Sequence, residues 1–204
     1  MTYPCVDPEH FDATDGEISP QPWTQYRHIA TTEALSKAGS YPVAGGGAKN
    51  DLLQTLQVSW TNSSPLDQLV YGLVTRGGAV LALQARSRGY LVMSHGIAVG
   101  AGTPPVEEVS RFGVGLDVGS GGTFGTNTKY GVIEQRQNSR TLPLMPQQAG
   151  WLRLAPGDTV TARVELRFRS DFWETQAITD GEQGSESSYV TGDTRLDLYA
   201  VPVL

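Results

Sequence analysis

The chain has 204 residues, a formal net charge of −6, 18% charged residues, 24 Gly and 12 Pro. That length supports a core without disulfides or metals, and the Gly and Pro content suits short strands joined by tight turns. The acidic balance, with a pI near 5.0, argues against phosphate-backbone binding, which needs clustered Lys and Arg; Arg163, Arg167 and Arg169 share a strand face, but Glu165 sits among them and Asp171 follows, so no nucleic acid partner is expected.

Cys5 is the only cysteine, so no intrachain disulfide forms and assembly in a reducing cytoplasm is compatible with the sequence. The start, MTYPCVDPEHF, lacks the basic and apolar regions of a secretory signal. No apolar run approaches the ~18 residues that span a bilayer, so no membrane partner is expected.

Residues 1–50 read as an extended, Pro-rich N-terminal arm and linker, and residues 51–204 as one β domain. Pro4, Pro8, Pro20, Pro22 and Pro42 punctuate the arm, and Asp7, Glu9, Asp12, Asp15 and Glu17 cluster early in it. Its aromatic residues set it apart from a solvated tail. Phe11, Trp23 and Tyr26 are the candidate docking residues, on the chain's own domain or on a neighbour. Thr31–Ala38 reads as a short helix with Thr31 or Thr32 as cap and Gly39 as stop. VAGGGAKND at 43–51 reads as a loop or hinge.

From Leu52 onward the pattern is β. LLQTLQVSW (52–60), LDQLVYGLVTR (66–76), GAVLALQARS (78–87) and YLVMSHGIAV (90–99) are strands. The short Gly turns between them, Arg76-Gly77-Gly78 and Arg88-Gly89, predict antiparallel hairpins. The Gly-rich stretch 100–128 holds one strand near Val109–Val118, and short strands follow at 130–137 and 141–146. In GWLRLAPGDTVTARVELRFR (150–169), Val160, Ala162, Val164, Leu166 and Phe168 alternate with Thr161, Arg163, Glu165 and Arg167. That period of two puts the apolar set on one buried strand face, and at ~3.3 Å per residue the strand is roughly 36 Å long. Residues 170–193 read as a long polar connection, and TRLDLYAVPVL (194–204) as a closing strand. The total is roughly eight to ten strands in an all-β, antiparallel sandwich.

No catalytic or metal constellation emerges, and no cofactor is expected. His10, His28 and His95 are isolated, whereas a metal site wants clustered ligands. There is no nucleophile elbow and no phosphate loop. The glycines Gly113, Gly115 and Gly119 lack the following helix that a dinucleotide fingerprint needs. The pairs Glu107/Glu108 and Glu182/Glu186 read as solvated carboxylates. Asn62-Ser63-Ser64 matches a glycosylation pattern with no export signal to give it consequence. Phe172, Trp173 and Tyr189 are candidates for stacking on a sugar ring, or for packing over the end of the sandwich.

Leu152-Arg153-Leu154-Ala155-Pro156-Gly157-Asp158, the long strand after it and the closing Leu196-Asp197-Leu198-Tyr199-Ala200-Val201 resemble the trimeric jelly-roll domains of the tumour necrosis factor and complement-type superfamily. That resemblance implies a jelly-roll β-sandwich whose last strand lies in a sheet facing a threefold axis. It makes Leu196, Leu198, Tyr199 and Val201 candidate oligomer contacts, with the parity that faces the partner left open. ISPQPWTQYRH (18–28), VSWTNSSPLDQLVYGLVTRGG (58–78) and DLYAVPVL (197–204) are similar to minor tail proteins of tailed phages that infect actinobacteria. The implied role is a non-enzymatic virion structural protein, assembled in the host cytoplasm as a homotrimer and contacting other virion proteins. Capsid decoration or collar protein is the variant of that role. A carbohydrate-binding module for a host-surface glycan is the alternative, and a cell-wall hydrolase the third reading.

Overall fold

In the computed structural model, residues 11–14, 17–20, 26–41, 48–84, 88–115, 132–144, 151–172 and 187–203 are described, and none of them is helical. The strands in chain order are β1 (Phe11–Thr14), β2 (Glu17–Pro20), β3 (Arg27–Ala34), β4 (Lys37–Tyr41), β5 (Lys49–Thr61), β6 (Gln68–Arg76), β7 (Ala79–Gln84), β8 (Arg88–Val99), β9 (Glu107–Gly115), β10 (Val132–Gln137), β11 (Arg140–Leu144), β12 (Leu152–Leu154), β13 (Thr159–Phe172), β14 (Ser187–Thr191) and β15 (Thr194–Pro202). Every ladder between them is antiparallel.

Strand β13 carries the alternation seen in the sequence. Val160, Ala162, Val164, Leu166 and Phe168 are all at most 1% exposed. Removing them from water contributes on the order of 10 kcal/mol, an upper figure because the unfolded chain is itself partly collapsed. The strand is flanked along nearly its whole length by β5 and β8, in a layer of order β5-β13-β8-β9. It is opened by a turn in which Gly157 adopts φ +87° and the Asp158 carboxylate accepts from the Ala155 N–H at 3.0 Å. Asn62, fully buried, ties that turn to the β5–β6 connection: its Nδ2 donates to the carbonyls of Leu66 and Leu154. The glycosylation pattern at this asparagine is therefore closed off in the fold.

The other layer is made of broken strands. One set pairs in the order β11-β6-β15-β3 and the next in the order β10-β7-β14-β4, the same order continued. The register is kept across each two-residue break: Arg76↔Thr194 is followed by Ala79↔Thr191, and Ala34↔Thr194 by Lys37↔Thr191. Each pair is thus one long strand interrupted once. With the separate β1–β2 pair and the short β12, which pairs with β6 in the broken layer, set aside, eight remain among the described residues; numbered in chain order they run 6-3-8-1 in the broken layer, facing 2-7-4-5 in the β13 layer. This is the jelly-roll arrangement. Between these eight strands the chain crosses from layer to layer at every connection except the β8–β9 hairpin, and β12 lies in the broken layer on the way from β11 to β13. The core lies between the layers, where Val70, Val74, Leu81, Leu83, Leu196 and Leu198 meet Leu56, Leu91, Met93 and the inward face of β13.

The break is held from the opposite layer. The Gln54 amide on β5 donates to the carbonyls of Leu35 (2.7 Å) and Gly192 (3.2 Å), and its Oε1 accepts from the Thr194 hydroxyl at 2.9 Å. Gly77 and Gly192 pass so closely that a Cβ on Gly77 would sit 2.9 Å from the Gly192 Cα.

Several sequence expectations are corrected here. Thr31–Ala38 is not a helix: it spans the end of β3, the break and the start of β4, paired to β15 and β14. The weak helical preference of that segment yields to two cross-strand ladders. Within the first fifty residues, β3 and β4 are thus sheet strands, and 49–51 begin β5 instead of a hinge. The expected hairpins around Gly77-Gly78 and Arg88-Gly89 do not form, because β6 continues into β7 and β7 and β8 lie in different layers. Ser187–Thr191, inside the expected polar connection, is strand β14.

Candidate functional site

The outward side of the broken layer carries aromatic residues where a solvated sheet face normally carries polar ones. Strand β6 is apolar on both parities: Val70, Gly72 and Val74 point to the core, while Leu69, Tyr71 and Leu73 are half-buried on the outside. Across the ladder, Tyr199 of β15 sits opposite Tyr71, and Val201 opposite Leu69. Tyr26, immediately before β3, and Trp151, immediately before β12, complete the row.

The rings pack on one another. Tyr199 lies 5.6 Å from Tyr26 and 5.2 Å from Tyr71 between ring centroids, with planes 6° and 16° apart. Tyr26 and Tyr71 are themselves 6.2 Å apart and bonded through their hydroxyls. Trp151 meets Tyr71 edge-on at 4.5 Å. Such pairs add ~0.5–1.5 kcal/mol each beyond burial, so the cluster is a rigid surface element. It still leaves Tyr26 57% and Trp151 44% exposed.

Charged groups rim this cluster. His28 Nε2 lies 3.0 Å from Asp197 Oδ1, Arg195 Nε donates to Asp197 Oδ2 at 2.8 Å, and Arg153 Nε donates to Asp67 Oδ2 at 2.6 Å. Burial and the hydrogen bond its hydroxyl donates to Tyr26 push Tyr71 up to about 12, and burial raises Tyr199 as well, so both stay protonated through neutral pH. An apolar, aromatic centre with a charged rim is the composition of a protein contact surface.

The residues singled out from the sequence fall into distinct places. Leu196 and Leu198 are fully buried and face the core, so the parity that could meet a partner is that of Tyr199 and Val201. A pleated strand cannot present both sets to one side. Tyr26, expected as an arm-docking residue, stacks on Tyr199 of its own chain. Phe11 and Phe172 lie on β1 and β13, with side chains outside the described residues, as are Trp23 and Trp173 altogether. Tyr189 of β14 packs against Phe168 and Tyr41 and over Gly39, where a Cβ would meet its hydroxyl at 2.6 Å. Tyr71 and Trp151 were not singled out in the sequence. The signal for Tyr71 was the double-sided apolar character of LVYGLV.

His95 of β8 is buried, and desolvation holds its imidazole below the usual range. Among the described residues no group of three His, Cys, Asp or Glu is placed to hold a metal ion, and no helix is long and apolar enough to cross a membrane.

A family model described as a domain of unknown function (DUF7172) matches residues 1–204. No curated protein matches the sequence. Among solved structures, one of the infectious bursal disease virus Gx strain is similar at 10% identity and a TM-score of 0.30, covering 100% of this chain and 43% of that one. The VP2 subviral particle of the same virus is similar at 11% identity and a TM-score of 0.27, covering 100% of this chain and 42% of that one. This chain thus spans less than half the length of those proteins. The jelly-roll arrangement stands on the strand order itself, independently of these similarities.

Proposed function

The chain belongs to the DUF7172 family, and from that premise we propose that it is a non-enzymatic structural component of a tailed-phage virion. In this reading it is a minor tail protein that assembles as a symmetric trimer, with its N-terminal arm docking on neighbouring subunits. The observation that carries the reading is the Tyr26–Tyr199–Tyr71–Trp151 cluster on the outward face of the layer holding the closing strand. Aromatic side chains held rigid at the centre of a patch are what dominate association energy, since little entropy remains to be lost on contact. A closed ring of copies hides the same patch on each, and a threefold axis beside β15 does so without leaving an open end. The similarity of 18–28, 58–78 and 197–204 to minor tail proteins supports the particle as the setting, and the tail is the location this reading takes among tail tip, collar and capsid surface.

The test is composition of purified particles. The chain is expected in particles by mass spectrometry and at the tail by immunogold labelling. A Tyr71→Lys/Tyr199→Lys variant that retains the parent far-ultraviolet dichroism is expected to be missing from them. Absence of the parent chain from purified particles contradicts the virion role. Labelling of the capsid or collar contradicts the tail location.

A further inference from the structure

The outward side of the β13 layer carries a second, chemically different surface. Glu165 accepts from Arg163 and from Arg167, the latter Nε at 2.9 Å. Glu108 of β9 accepts from Arg111 Nε at 2.8 Å and from an Arg169 terminal nitrogen at 3.2 Å. The ladders place Arg167, Val92 and Arg111 in one row and Glu165, Ser94 and Glu108 in the next, so the two Arg–Glu–Arg groups lie side by side. Four guanidinium groups there face two carboxylates, in a chain whose net charge is −6. The four arginine side chains remain 28% to 45% exposed. Their geometry is set by the internal pairs, and each of the four side chains keeps part of its surface in solvent.

The complement lies in the same chain. Residues 1–26 contain Asp7, Glu9, Asp12, Asp15 and Glu17 and no Lys or Arg. Before Tyr26, the described part of this segment is the antiparallel pair β1–β2, with Phe11 opposite Pro20 and Thr14 opposite Glu17. Among the described strands, neither β1 nor β2 has a ladder to any other. A two-stranded hairpin is marginal by itself in water and requires a surface to lie on.

We propose that the acidic β1–β2 hairpin of one subunit docks on the arginine face of a second copy of this chain. The inference rests on the arm-docking reading above and supplies its receiving surface. Charge complementarity sets orientation and encounter rate, and the contact weakens as salt screens it. Association through the aromatic face is not screened in that way. The two contacts therefore separate experimentally: at high salt the hairpin is released while the oligomer mass persists.

The native Cys5 provides the probe. A Thr55→Cys variant adds a thiol at an exposed β5 position opposite Glu165. Full-length heavy- and light-isotope chains are mixed in urea and refolded together so that each oligomer draws on both, then treated with a flexible bismaleimide and analysed by peptide mass spectrometry, with native mass measured on the same samples. The expected result is mixed-isotope linkage of positions 5 and 55, which falls to background with Arg111→Glu/Arg169→Glu and returns when Asp12→Lys/Glu17→Lys is added to the same chain. Linkage only within one isotope, or mixed linkage indifferent to both reversals, overturns the proposal. An oligomeric mass alongside either result leaves the aromatic-face association standing, whereas a monomeric mass overturns both.

Discussion

Replacing Gln54 with methionine tests how the two layers are tied together. The side chain is 5% exposed and spans from β5 to the break in the opposite layer. Gln54→Met keeps length and volume, so packing changes little. It removes the bonds to the Leu35 and Gly192 carbonyls and the acceptor for the Thr194 hydroxyl. Thr194 is 1% exposed, and a buried hydroxyl left without its partner costs ~1–3 kcal/mol. The two carbonyls sit at the break, where water has easier access, and count for ~0.5–1 kcal/mol each. The expected loss is therefore about 2–5 kcal/mol, read as a lower urea midpoint with an unchanged slope. Gln57→Met, three residues along the strand on its exposed side, is the control and is expected to stay within ~0.5 kcal/mol of the parent. A Gln54→Met protein as stable as that control refutes the view that this amide holds the break.

Two further outcomes follow from particular positions. A Cβ at Gly96 would lie 1.8 Å from the Pro105 carbonyl oxygen, so Gly96→Ala must lift the 100–106 segment off β8, costing about 2 kcal/mol and speeding amide exchange there; Gly102→Ala, with nothing within 4 Å, is expected to leave both unchanged. The Tyr71 hydroxyl is raised from 10.0 to about 12, so above pH 10 the unfolded chain gives up this proton first and the folded state binds more protons. Stability from this group is then complete below pH 10 and lost as pH rises toward 12. Denaturant midpoints across that range should fall less steeply for Tyr71→Phe than for the parent, and equal slopes would count against the bonded Tyr26–Tyr71 pair.

The parts of this molecule that were legible in sequence are those fixed by side-chain parity. The Val160-to-Phe168 set is buried because a pleat leaves no other arrangement once one side is apolar, and most strand positions follow from the same rule. Pairing was not legible. Gly77-Gly78 marks a break in a strand that continues straight on, and local turn chemistry is the same whether a chain reverses or merely bends. Only the register shared by 76↔194 and 79↔191 distinguishes the two, and that is information from residues more than a hundred positions away. Thr31–Ala38 and Ser187–Thr191 are weak in their own preferences and become strands through their partners. At the candidate site, Tyr199 and Val201 were visible as one parity of the closing strand, whereas their neighbours Tyr71 and Trp151 come from other strands and meet them only in the folded sheet.

The central claim is that copies of this chain associate through the tyrosine–tryptophan face. The most direct measurement is the native mass of the full chain by light scattering, alongside Tyr71→Lys/Tyr199→Lys. The account predicts about three times the 21.9 kDa chain mass for the parent, steady on dilution, and a single-chain mass for the variant. A monomeric parent, or a variant that keeps the parent's mass, contradicts it.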